Sequence, residues 1–364
     1  MKIDLYTGQG LLLSDAARTA ITAEAAGFAG LWSLEAHTEP FLPLALAAEH
    51  TRTLELRTAV VVALARNPVV TAHLAHELTR YSGGRFQLGL GSQVKPHITR
   101  RYGEQWTDPV GRMREFILAL QAIWSCWNDG QKLDFRGKYY THTLMTPAFN
   151  PGSSPFGSPP VLLGAVGPKM VRLAAELAQG VIAHPLSSRR VLTDGLLPTV
   201  RSARSDRADS DDFEISCPVL IVTGANDHET ELAREAVRKQ IAFYASTPAY
   251  RSVLELYGEG ERADRLRQLS VQGRWDDMTA CVTDELLQEF SVEAPPAHLQ
   301  EALRARFSGI LDRVSLYAPY PVADQIWHDV MSASVTDRSG EPVMTGSGVK
   351  AVTGTENYVR KNPA

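Results

Sequence analysis

The stretch LELRTAVVVALARNPVVTAHLAHELTRYSGGRFQLGLGSQ, residues 54–93, decides the fold. Residues 54–63 form an apolar, valine-rich run, as a short strand covered on both faces requires. Pro68 then opens a helix, because proline fits the first helical turn, where its missing N–H is not needed. Val70, Leu74, Leu78 and Tyr81 recur at helical spacing and predict a core-facing stripe, with His73, His76, Glu77 and Arg80 as solvated polar face. Residues 85–91 (RFQLGLG) predict the next strand. Strand and helix alternating in this way imply a parallel sheet with its helices outside.

Outward from this stretch the same alternation continues. Residues 2–6 and 30–34 read as strands, and a helix over 14–26, opened by Ser14 and closed by Gly27, lies between them. A helix spans 40–50. Asp108-Pro109 is a cap followed by a first-turn proline, and Met113, Phe116, Ile117, Leu120, Ile123 and Trp124 share one face of the helix that follows. Further strands fit 161–165, 180–184, 215–223 and 310–316. Gly167-Pro168 opens a helix that Gly180 closes, and others start near Ser187, at Asn226 and at 321. Eight strand–helix units favour a closed (β/α)₈ TIM barrel over an open doubly wound sheet. Two stretches interrupt the rhythm as insertions on one barrel domain spanning 1–336. Residues 128–160, rich in Gly, Pro, Ser and aromatics, suit a hairpin and a long loop, whereas 247–307 reads as helical. Residues 337–364 form a polar tail.

The 364 residues are 44% hydrophobic and 21% charged, with a formal net charge of −4. That supports a large core and offers no basic excess for nucleic acid. Cys126, Cys217 and Cys281 lie far apart and form no CxxC pair, a usage that suits a reducing cytoplasm. No signal-peptide pattern and no run long enough to span a membrane is present, so a cytoplasmic location is expected. HExxH and GxSxG are absent, which argues against a metal centre and a nucleophile-elbow hydrolase.

In such barrels the active site lies at the C-terminal ends of the strands. That rule nominates Glu35 and His37 after the second strand as acid/base candidates, since hydride transfer needs a matching proton transfer. After the fourth strand, GLGSQVKPH lacks the third glycine of a dinucleotide fingerprint, but its small residues permit close backbone approach to a ligand. Lys95 and His97 there suit a phosphate or an acidic tail. AVGPKM at 165–170 runs into a helix N-terminus, whose free N–H groups and dipole favour an anion beside Lys169. His184, Tyr317 and Tyr320 follow the sixth and eighth strands. Tyr139, Tyr140, Tyr250 and Trp275 in the insertions are candidates for an apolar pocket wall.

Three segments, GFAGLWSLEAH, RNPVVTAHLAHELTRYSGGRFQLGLGSQ and PPVLLGAVGPKMVRLAAELAQGVIAHP, resemble the luciferase-like monooxygenase superfamily. GSQVKPHITRRYGEQW, KYYTHTLMTPAFNP and AFYASTPAYRSVLELYG resemble an actinobacterial subgroup of coenzyme F420-dependent oxidoreductases. The resemblance implies a flat tricyclic ring held against the third strand, over a non-proline cis peptide near Val62-Ala63 or Ala63-Leu64. It implies a cofactor phosphate between the loops after strands four and five, at Ser92, Gln93 and Val94 and at Val166 and Gly167, with Lys169 nearby; Val62, Ala63, Leu64, Lys95 and His184 complete the cofactor-binding candidates. Some deazaflavin relatives carry an Asp-His pair after the second strand; here the residues are Glu35-Ala36-His37. The implied activity is hydride transfer to or from a small organic substrate by a homodimer. An FMN-dependent monooxygenase and a non-catalytic cofactor-binding barrel are the alternatives on the same fold.

Overall fold

Strand β1 (Lys2–Thr7) lies between β2 (Gly30–Ser33) and β8 (Arg313–Tyr317), and every neighbouring pair around the sheet is parallel. The order continues through β3 (Glu55–Thr58), β4 (Phe86–Gly91), β5 (Val161–Gly164), β6 (Gly180–Ile182) and β7 (Glu214–Val222). β7 pairs with both β6 and β8, which closes an eight-stranded (β/α)₈ barrel. This computed structural model describes residues 1–205 and 212–333, so the expected tail at 337–364 lies outside the described residues. Met1–Ala333 form one compact unit.

Ionic side chains plug the end of the barrel where the strands begin. Arg313 donates to Asp4 at 2.7 and 2.8 Å and to Glu214 at 3.2 Å, and Arg57 donates to Glu214 at 2.5 and 2.9 Å. Glu55 accepts from both arginines. The Trp32 indole N–H donates to Asp4 at 2.5 Å. Arg57, Arg313 and Asp4 are fully buried, so each charge depends on its partners. Burial pushes Asp4 upward, an effect that the Arg313 and Arg57 charges only partly offset.

The helices pack outside: α1 (Ala16–Ala26), α2 (Phe41–His50), α3 (Pro68–Tyr81), α4 (Pro109–Asp129), α5 (Pro168–Leu177), α6 (Leu197–Arg204), α7 (Asp227–Ala245) and α8 (Asp324–Ser332). Several expected signals hold. Gly27 closes α1 in the left-handed conformation, and Asp108 caps α4 by accepting from Gly111 N–H. The hairpin in the first insertion pairs Phe135–Arg136 with Thr141–His142. The second insertion is helical, but it also contributes a short strand, Ser291–Glu293, parallel to β7.

Other expectations are corrected. α1 is capped at Asp15, not Ser14, with no side-chain bond. Gly180 is the first residue of β6, where a Cβ would lie 2.6 Å from the Glu214 carbonyl oxygen; α5 ends at Leu177. On α3, Val70 and Tyr81 are more than half exposed, and the buried face carries Thr71, Ala72, Ala75, His76, Leu78 and Thr79. His76 is therefore not on a solvated face. Its Nε2 lies 3.1 Å from the Gly152 carbonyl, and its ring packs edge-on against Trp127 at 5.3 Å.

Candidate active site

At the C-terminal ends of the strands the barrel interior turns apolar. Tyr6, Trp32, Ala59, Leu162, Ile182, Leu220 and Tyr317 belong to one buried cluster that continues into α7 and the second insertion. Leu34, Val60, Tyr244, Tyr250 and Tyr320 are partly buried against it.

The arc from β2 to β5 is built from loops. β3 breaks after Thr58, and the chain resumes pairing with β4 at Val61 and Val62. The non-proline cis peptide is at Ala59–Val60, so the expected place near Val62–Leu64 is corrected. Val62, Ala63 and Leu64 are buried in the core cluster shared with the helices and do not line the mouth. Val60 reaches the mouth instead. A Cβ on Gly91 would lie 2.4 Å from Val60 Cγ2, and one on Gly164 would lie 3.0 Å from Val60 Cγ1. The absence of side chains at the ends of β4 and β5 seats Val60 there, so the glycines that suggested room for a ligand first make room for a side chain.

Glu35 fastens this region. Its carboxylate accepts from Val62 N–H at 2.8 Å, from Arg66 Nε at 3.2 Å and from the Tyr102 hydroxyl at 3.3 Å. The Ala36 carbonyl accepts from Arg101 at 2.6 Å, and His37 N–H approaches the Gln9 carbonyl at 3.5 Å. The loop carrying His37 is thus tied to β1, β3 and the segment after β4, while His37 itself is exposed. Of the two acid/base candidates, Glu35 is engaged with three donors, and the His37 imidazole makes no hydrogen bond among the described residues.

β4 pairs directly with β5, Leu88 opposite Val161 and Leu90 opposite Leu163, so their outgoing loops emerge side by side. Gln93 has φ +57°, and its side chain accepts from Val94 N–H at 3.0 Å. Ser92 Oγ donates to the Gln93 carbonyl at 3.2 Å. In the second loop, α5 starts after Gly167 with no side-chain cap, and Val166, Gly167 and Lys169 are exposed. Lys95 and His97 are exposed in the first. At the start of α5, Pro168 has no N–H and the Met170 and Val171 N–H groups donate to the Gly167 carbonyl, so the Gly167 and Lys169 N–H groups, with the Lys95 and Lys169 ammonium groups, form the donor set for a phosphate.

The arc from β6 to β8 is aromatic. His184 packs against Tyr250 at 4.1 Å and against Tyr244 at 4.6 Å. Leu186 N–H donates to His184 Nδ1 at 3.1 Å, which leaves the ring proton on Nε2. Burial pushes His184 down to about 3, so it stays neutral. Tyr317 meets Tyr6 edge-on at 4.9 Å, and its hydroxyl lies 3.3 Å from that of Tyr244. The sequence singled out His184, Tyr317, Tyr320 and Tyr250; it missed Tyr6, Trp32, Ala59, Val60 and Tyr244, whose roles depend on strand register and on the reach of α7. Tyr139 and Tyr140 pack on Asp108 and Phe116, and Trp275 is exposed, so these three do not line the mouth.

The sequence matches the luciferase-like monooxygenase family over residues 2–313. The chain belongs to that family. A Mycobacterium tuberculosis protein named only as uncharacterized is 48% identical over 304 residues, covering 83% of this chain and 89% of its own. The 5,10-methylenetetrahydromethanopterin reductase of Archaeoglobus fulgidus is 29% identical, covering 77% of this chain and 82% of its own. The solved coenzyme F420-dependent tetrahydromethanopterin reductase of Methanopyrus kandleri superposes with TM-score 0.76 at 20% identity, over 91% of this chain and 97% of that one. This luciferase-like family is one of oxidoreductases whose named members use F420 or FMN. No helix among the described residues is long and apolar enough to cross a membrane.

Proposed function

We propose that this chain is a coenzyme F420-dependent oxidoreductase acting on a small organic substrate. The observation that carries this reading is the convergence of two features. Val60, seated on Gly91 and Gly164, gives an apolar wall for a flat ring. Immediately beside it, the paired β4 and β5 loops offer Ser92, Gln93, Val94 and Lys95 together with Val166, Gly167 and Lys169 to an anionic tail. When bound, the deazaflavin supplies hydride chemistry; the protein supplies orientation and electrostatics.

In this reading His37 delivers or accepts the proton that accompanies hydride transfer, because its imidazole is exposed on the clamped loop after β2. Glu35 positions that loop and the Val60 turn. Names of relatives add support for F420: a Mycobacterium tuberculosis relative 28% identical to this chain is called a putative coenzyme F420-dependent oxidoreductase. The proposal includes a homodimer through α1–α3, where Ile21, Leu42, Leu46, Val70 and Tyr81 are exposed. Light scattering after gel filtration is expected to give twice the chain mass.

The test is a parallel titration of the purified protein with coenzyme F420 and with FMN, followed by tryptophan fluorescence. Saturation by the deazaflavin alone is expected. Preference for FMN would transfer the assignment to a flavin monooxygenase, and binding of neither by a folded sample would overturn both cofactor assignments.

A further inference from the structure

The cofactor reading gives the β2–β5 arc its task and leaves the β6–β8 arc without one. Three observations set that arc apart. His184, Tyr244 and Tyr250 form a cluster of rings, with Tyr244 and Tyr250 6.5 Å apart. Burial is the largest influence on His184, Tyr244 and Tyr250, and none of the three makes an ion pair or a hydrogen bond to a charged side chain among the described residues. The Tyr250 hydroxyl makes no hydrogen bond among the described residues, so its ring is held over the imidazole by packing alone, on the short turn Pro248–Tyr250.

We propose that this cluster is the substrate subsite of the same mouth, and that it takes an uncharged, planar carbonyl compound or the matching alcohol. The proposal rests on the cofactor reading only for which reaction the substrate enters. A planar ligand takes the place of the Tyr250 ring against His184 as that ring swings outward on its turn. The His184 Nε2–H then donates to the ligand oxygen, because Nδ1 is already occupied by Leu186 N–H and fixes the tautomer. His184 acts as a hydrogen-bond donor and positioning residue, not as an acid. A carboxylate or phosphate substrate is excluded from this arc, since burying an anion without a cationic partner is costly.

The experiment is calorimetric titration of the full-length protein with acetophenone, with α-methylstyrene as its hydrocarbon isostere, and with benzoate. Acetophenone is expected to bind, and benzoate at least ~10-fold more weakly. His184→Phe keeps the ring but loses the donor, so acetophenone is expected to weaken ~3–10-fold while α-methylstyrene is unchanged. His184→Gln should recover part of the ketone affinity. If no probe binds the wild-type protein, if benzoate binds as well as acetophenone, or if His184→Phe leaves ketone and hydrocarbon equally affected, the proposal is overturned. The wild-type comparison of acetophenone with benzoate decides the matter even if the His184 variants do not fold. None of these titrations contains a cofactor, so failure of F420 to bind leaves a positive result here intact, and the reverse holds as well.

Discussion

The two arcs of the barrel mouth are built from different parts of the chain and, in the proposed reading, solve different problems. From β2 to β5 the working groups are backbone N–H groups, glycines, lysines and a histidine, all within a few residues of the strands that carry them. From β6 to β8 they are aromatic rings, and two of the most important, Tyr244 and Tyr250, arrive from the end of α7 and the turn after it. An anionic tail needs fixed dipoles and positive charge at the rim, where water also helps to solvate it. A hydride acceptor needs an uncharged, close-packed wall that keeps water out. In the proposed reading, placing these demands on opposite arcs lets each be met without weakening the other.

The largest expected effect lies on the polar arc. His37→Gln should lower the rate of hydride transfer by ~10²–10⁴-fold while the protein stays folded and still binds cofactor. Stopped-flow single turnovers with the true substrate would measure it. An unchanged rate would remove proton handling from His37 and leave the proton to another group or to water. Next comes Gly91→Ala, whose new methyl meets Val60 Cγ2 at 2.4 Å. Overpacking of this kind costs ~1–3 kcal/mol, and Val60→Ala in the same chain should restore most of it. Denaturant titration of the single and double variants tests whether the glycine serves Val60. If the single variant is neutral, the wall is softer than its geometry implies. A smaller effect is expected at Lys169, where Ala should weaken cofactor binding ~3–10-fold at low salt and less at high salt, because an exposed charge is screened.

The same contrast explains what the sequence made legible. The strand–helix alternation, the Asp108-Pro109 start and the AVGPKM turn are local signals, and local physics is enough to place them and with them most of the polar arc. The position of Val60 was not legible. Residues 59–65 (AVVVALA) are uniformly apolar, so no period reveals which residue turns toward the mouth and which into the helix layer. α3 differs for the opposite reason: a regular stripe of larger apolar residues is present, but two of its four members, Val70 and Tyr81, face solvent, and the buried face is completed by small residues. The aromatic arc was legible only in its strand-end members. Tyr244 sits on a helix otherwise patterned for the barrel's outside, and nothing local marks it as reaching the mouth.

The aromatic arc makes a further, smaller prediction that can be read without any ligand. His184 sits among rings and gives its Nδ1 to Leu186 N–H, and burial pushes it down to about 3. An unfolded histidine titrates near the ordinary value of about 6.5. Between those two values the unfolded chain binds a proton that the folded chain refuses, so stability falls as the pH is lowered through that window. Above about 6.5 both states are neutral and the contribution vanishes. His184→Phe removes the proton difference without emptying the space. Its Tm should therefore fall less steeply than that of the wild type between neutral pH and mild acid. The two glutamates of the barrel floor do not mimic this signal, and Asp4, which burial pushes upward, acts with the opposite sign. Burial would raise Glu55 and Glu214, but Lys2, Arg313 and Arg57 hold Glu55 below its ordinary range, and Arg57 and Arg313 do the same for Glu214. Their stabilising contribution is present above the unfolded carboxylate value and is lost only in stronger acid, equally in both proteins. Parallel Tm curves for wild type and variant across mild acid would mean that water reaches the imidazole, and the distinction between a wet arc and a dry one would disappear.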